Sequence, residues 1–266
     1  MKIRSMIPMI VTPLFALCGC VLRLWSLSVS DGHGLPADHI ANTVFAWVSL
    51  ALILILLVLS TRSPGRCGNH RILRCGSGGY ILSLLAAVGI LAGTCLEFAE
   101  TLRGGPTASS PIMCLLGLVG ALCCMYAAHC RKGGEPAHPA VEIMPVVYLV
   151  VKLILNFKNW SIDPIILDYC VILFALIFSL LAFYGGAGFV FDKGKPRTTL
   201  FYAMASVYFC AAALMDGIAD RSAATIVTYL GLLLWQLPVI ICLSLPAEPD
   251  PEETPQDEHP RSEAKD

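Results

Sequence analysis

Charge is what this chain has least of. Asp, Glu, Lys and Arg make up only 14% of its 266 residues, against about a quarter in ordinary soluble domains. A soluble globule of this length keeps a large surface that charged side chains help to cover. With 56% of the residues hydrophobic and a mean hydropathy of +0.73, that surface would have no adequate cover. A soluble domain is therefore excluded, and lipid is the expected solvent.

Other absences narrow the function. No Walker, dinucleotide or haem signature occurs, so no cofactor is expected. No histidine lies between His138 and His259, which leaves a rhomboid-like serine protease, with Gly76-Ser77-Gly78 as its nearest serine motif, without a base in any late helix. The Gly-x-Gly-Asp pattern of intramembrane aspartyl proteases is missing too, the segment reading Ala213-Leu214-Met215-Asp216-Gly217. Glu97-x-x-Glu100-x-x-Arg103 lacks the adjacent glutamates and later histidines of the membrane CAAX-type proteases. The expectation is a protein without catalytic residues, and nucleic acid is not an expected partner.

What the chain does have is long apolar runs near the ~20 residues that cross a bilayer as a helix. They lie near 6–29, 41–61, 79–101, 110–129, 142–159, 164–190, 198–218 and 223–245. Continuous runs of this kind, without the alternation of barrel strands, predict helices. The fifth is the weakest, being short and carrying Lys152.

Basic residues test the count, because short cytoplasmic loops collect them. With eight spans and an inner N-terminus, thirteen of the 18 Lys and Arg fall inside, in clusters at Lys2–Arg4, Arg62–Arg74, Arg131–Lys132, Lys193–Arg197 and Arg261–Lys265. Only Arg103, Lys158 and Arg221 fall outside, while Arg23 and Lys152 lie within spans. Deleting the fifth span would send the Lys193–Arg197 cluster outside. The fold class expected is an all-α integral membrane protein, a bundle of about eight helices with both termini cytoplasmic, and a bacterial cytoplasmic membrane is its expected location.

The first span contains Leu17-Cys18-Gly19-Cys20, which looks like a lipoprotein signal with Cys20 as the lipidated residue. Apolar sequence resumes at once with Val21, Leu22, Leu24 and Trp25, so the reading adopted is an uncleaved helix. Residues 246–266 break from the rest, with eight acids against two bases and no aromatic or β-branched apolar residue. They are expected to form a disordered acidic tail behind a membrane domain spanning 1–245. The tail or the basic inner loops could dock a cytoplasmic protein partner.

Most of the 12 cysteines sit within spans, as small packing residues do. The inner-face set Cys67, His70, Cys75, His129 and Cys130 matches no usual zinc spacing, so no metal is expected. Basic inner loops with Pro and Gly at Pro64-Gly65-Arg66 and Gly194-Lys195-Pro196-Arg197, each followed by a helix with an acid near its outer end, suggest a parallel duplication of four helices. In the last span, Pro238 should free a carbonyl that Gln236 could satisfy.

Charges inside lipid are costly, at least ~2.5 kcal/mol each near the centre, and usually face the bundle interior with a partner. Arg23, Glu97, Asp168 and Asp216 each fall a turn or two from the outer end of a span, with Lys152 deeper, so all five share the outer half. Gly89, Gly93 and Glu97 follow at i, i+4, i+8, and Gly-x-x-x-Gly marks a close packing face, which aims Glu97 inward. Tyr148, Lys152 and Asn156 form a matching polar stripe. Lys152 would pair with Glu97 or Asp168. Acids in the outer loops, at Asp31, Asp38, Asp163 and Asp220, would favour cations. The turn containing Asp31, His33, Asp38 and His39 could hold a divalent ion, though the plainer reading is a turn.

These residues, Lys152, Glu97, Asp168, Asp216 and Arg23, are the candidate substrate-binding set. The function expected is transporter-like, with an outward-facing polar cleft for a small cationic solute or a proton. The competing reading is a non-catalytic membrane subunit, sensor or scaffold whose charges only staple helices.

Overall fold

The computed structural model describes residues 2–29, 40–62, 69–104, 109–160 and 166–245. Within them the chain forms eight α-helices, α1 (Lys2–Val29), α2 (Ile40–Thr61), α3 (Ser77–Gly104), α4 (Ser110–Gly133), α5 (Pro139–Trp160), α6 (Ile166–Gly188), α7 (Pro196–Ala219) and α8 (Ala223–Ser244). A short 3₁₀ turn, His70–Leu73, precedes α3. All eight helices are long and apolar enough to cross a membrane, α5 included, and no strand occurs among the described residues. The molecule is a multi-pass integral membrane protein. The acidic tail and the turn with Asp31, His33, Asp38 and His39 lie outside the described residues, as does Asp163.

The end of the bundle carrying Val29, Gly104 and Ala219 is called the outer end below, following the bias of the basic loops. Six helices close a ring: α3 packs on α4, α4 on α5, α5 on α6, α6 on α7, α7 on α8, and α8 returns to α3. Helix α1 lies against α7 outside this ring, and α2 rests on α1 and α7. This arrangement does not repeat after four helices. Helix α6 packs along α7, whereas α2 makes no comparable contact with α3; similar loops therefore do not reflect similar packing, and the expected duplication is not seen.

The burial pattern is that of a protein dissolved in lipid. Helix α2 is the most hydropathic of the eight yet the least buried, while α7 is the least hydropathic and the most buried. Lipid replaces water outside, so Leu, Ile and Val serve on the surface, and small residues let helices approach inside. Along α7, Ala203, Ala205, Ser206, Cys210, Ala211, Ala212 and Ala213 are all buried. Ser206 shares a hydrogen bond of 2.7 Å with Ser179 of α6, and Tyr208 shares one of 2.7 Å with Ser49 of α2.

The tightest contact is α3 on α8. A Cβ at Gly231 would lie 2.8 Å from the Ile90 backbone nitrogen and 2.9 Å from the Ala86 carbonyl oxygen, and one at Gly89 would meet the Gly231 Cα at 3.1 Å. A Cβ at Gly93 would clash with Thr228. The glycine stripe read from the sequence thus packs on α8. One turn further along the same stripe, Glu97 reaches the outer end. Helix α1 runs unbroken through Cys18-Gly19-Cys20, where Gly19 admits the Tyr208 ring and the Cys20 thiol donates to the Ala211 carbonyl oxygen at 3.2 Å. Helix α8 also continues through Pro238, but the buried Gln236 amide nitrogen donates no hydrogen bond among the described residues. Gln236 therefore does not satisfy the carbonyl that Pro238 frees.

Candidate functional site

Four of the five residues singled out above form two ion pairs at the outer end. The Arg23 Nε of α1 donates to Asp216 Oδ1 of α7 at 2.6 Å, with both side chains 6% exposed. The Arg23 guanidinium also lies 5.8 Å from the centre of the Phe45 ring on α2. This pair ties the two helices outside the ring to α7.

The second pair links α5 to α3 near the outer end of the ring. Lys152 of α5 donates from Nζ to Glu97 Oε2 of α3. Of the two partners left open by the sequence, the described structure supplies Glu97. Asp168 falls in the first turn of α6, and its side chain lies outside the described residues. The Lys152 side chain is 5% exposed and Glu97 40%, so the ammonium is enclosed while its partner touches open space. Beneath it, the Tyr148 ring centre is 5.8 Å from Nζ, and the Tyr148 hydroxyl reaches Thr94 Oγ1 at 3.3 Å. Gly117, against Thr94, and Gly120, against Tyr148, leave room on α4 for this column.

The open space is a cleft of about 190 Å³ between α3, α5, α6 and α8, lined by Glu97, Glu100, Lys152, Asn156, Ile172, Ser222, Ala224, Thr225, Thr228 and Tyr229. A sharp α7–α8 turn, with Arg221 in the left-handed region at φ 54°, brings α8 back beside α3. Ser222 caps α8, its Oγ accepting from the Thr225 backbone nitrogen at 3.2 Å, which aligns both hydroxyls along the cleft. Thr228 is buried and its hydroxyl has no hydrogen-bond partner among the described residues. Neither Arg23 nor Asp216 lines the cleft. Of the candidate set, Lys152 and Glu97 share the cleft and Arg23 and Asp216 stand apart from it.

A third pair was not anticipated. Arg131, counted above among the inner-loop bases, folds back beneath the ring, where its Nη2 donates to both Glu142 carboxylate oxygens at 3.0 and 3.1 Å. The side chains are 10% and 5% exposed. The guanidinium also lies 5.0 Å from the Trp235 ring centre, and Trp235 stacks on Phe183 at 5.5 Å. The available signal was Glu142, an acid at the inner start of a span, where a basic loop enters. The Arg131 carbonyl oxygen accepts from the Cys75 backbone nitrogen at 3.3 Å. Burial pushes the Cys75 thiol above its ordinary range, against the opposing pull of Arg131.

The inner Cys and His set disperses. His129 sits edge-on to Tyr80 at 6.4 Å, His70 faces Asp192 at 3.8 Å, and Cys67 lies outside the described residues. Among the described residues no three His, Cys, Asp or Glu side chains converge as a metal site. Compared with protein-family models, with curated proteins and with solved structures, the chain finds no match.

Proposed function

We propose that this membrane protein is transporter-like and non-catalytic, holding a small solute with a cationic group, or a proton, in the outer cleft between α3, α5, α6 and α8. The observation that carries this reading is the lopsided exposure of the Lys152–Glu97 pair, whose carboxylate faces a polar cleft while its ammonium is enclosed. An ion pair that only staples helices has no need of a cavity. A pair that exchanges partners with a solute does, because the displaced charge must find another partner before it loses the first. At the other mouth of the ring, Arg131 of α4 pairs with Glu142 of α5 beside the Trp235 ring of α8, and the cavity there is only about 10 Å³, which supports an outward-facing arrangement. A bacterial cytoplasmic membrane is the proposed location.

Arg23 and Asp216 favour the second reading, a membrane subunit or scaffold, since they are equally enclosed and bridge α1 to α7 as a staple would. The two readings part in proteoliposomes offered a panel of labelled small amines and amino acids, with and without a proton gradient. Under the transporter reading, Lys152→Met and Glu97→Gln abolish uptake in protein that remains folded. Uptake equal to that of the unaltered protein in both variants, or none by the unaltered protein, refutes it.

A further inference from the structure

Resting on the cleft reading, we propose that the solute is a zwitterion, with an anionic group that takes Lys152 and an ammonium that takes Glu97 and Glu100. The charges on the cleft wall set this requirement. A bare cation approaching Glu97 meets a carboxylate already neutralised by the Lys152 ammonium, which repels the newcomer at close range. If the cation displaces Lys152, it takes from an ammonium whose side chain is only 5% exposed the ion-pair partner it has among the described residues. A bare anion drawn to Lys152 meets two carboxylates on the same wall, Glu97 and Glu100, which repel it. A molecule carrying both signs avoids both problems. It lies antiparallel along the Lys152–Glu97 dipole, gives the Lys152 ammonium a new anionic partner, and lets its own ammonium bridge Glu97 and Glu100.

The uncharged lining agrees. Asn156, one turn along α5 from Lys152, and Ser222 and Thr225 near the start of α8 offer donors and acceptors in the same cleft, and the buried Thr228 hydroxyl still lacks a partner among the described residues. The volume of about 190 Å³ equals the share of about six waters. That suits an amino acid or a molecule of similar size, or the head group of a zwitterionic lipid at the outer boundary.

The experiment measures binding to the full chain in nanodiscs of phosphatidylglycerol, where no lipid supplies a zwitterion. The probes are the twenty common amino acids, the amines formed from them by decarboxylation, and the matching acids that lack the amine. A second set of nanodiscs includes phosphatidylethanolamine. The expected result is that at least one amino acid binds about a hundredfold more tightly than its amine or its acid, and that Lys152→Met erases its advantage over the amine. If phosphatidylethanolamine suppresses that binding, a lipid head group competes for the same chemistry, which also supports the proposal. Amines binding as tightly as their parent amino acids in the unaltered protein overturn the zwitterion and leave the cleft reading intact. No binding by any probe, with no effect of phosphatidylethanolamine on the stability of the folded protein, overturns both.

Discussion

Breaking the Lys152–Glu97 pair from either side should have unequal cost. In Glu97→Gln, the ammonium of Lys152 stays in place with its side chain 5% exposed, now against a neutral amide and, 5.8 Å away, the Tyr148 ring centre. Removing one partner of a buried pair in this way costs about 3–5 kcal/mol, a factor of roughly 10² to 10³ or more in the folding equilibrium. In Lys152→Met, the apolar stem keeps its volume and the survivor is Glu97, 40% exposed on the cleft. Its carboxylate stays hydrated, so the loss should be nearer the value of an exposed pair, about 1 kcal/mol. Removing both charges leaves no stranded ion, and the double variant should return to within about 1–2 kcal/mol of the unaltered protein. The assay is reversible unfolding of the purified chain in mixed micelles titrated with dodecyl sulfate. Arg23 and Asp216, equally enclosed at 6%, form the control, since single removal of either should cost about the same. If Lys152→Met proves as damaging as Glu97→Gln, the exposure difference has no energetic meaning and the cleft does not hydrate Glu97.

The remaining predictions concern packing and the inner end. Gly231→Ala places a Cβ against backbone atoms of α3 and should cost about 1–3 kcal/mol by overpacking, while Gly78→Ala, with open space around it, should be close to neutral in the same unfolding assay. Arg131→Met should destabilise by about 3–5 kcal/mol by stranding the buried Glu142 carboxylate, and Arg131→Lys by less, because an ammonium keeps the counter-charge while losing the guanidinium's contact with the Trp235 ring; equal damage from both would refute that account. Cys75 should react slowly with maleimide at neutral pH. The thiolate is the reactive form and burial raises the thiol's pKa, so labelling should speed up as pH rises toward the raised value, and a rate at neutral pH equal to that of free cysteine would contradict it.

Which segments enter the membrane was legible because insertion depends on the hydropathy of each segment, a local property. All eight helices arise this way, and so does retention of α5 despite Lys152. The Gly89-Gly93-Glu97 stripe was legible too, since helix geometry alone puts those residues on one face. Partners were not. Arg23 and Asp216 lie 193 positions apart, and nothing in either neighbourhood specifies the other. Arg131 read as a loop cation because it follows the apolar run of its span, whereas it lies in the last turn of α4, and only the meeting of α4, α5 and α8 gives its guanidinium a buried carboxylate and an indole to rest on.

Composition and charge placement by themselves determined that this is a membrane protein of eight helices with a few costly charges gathered toward one end. The tertiary structure alone decided how those charges divide. Ring closure between α3 and α8 requires backbones to meet where Gly231 lies against Ile90 and Ala86, and that approach, which no single segment encodes, brings Glu97 beside Lys152 and the Ser222–Tyr229 turn of α8. The same closure leaves Arg23 and Asp216 outside the cleft because α1 packs on the outer side of α7. Hydropathy acts segment by segment, whereas a cleft exists only between segments.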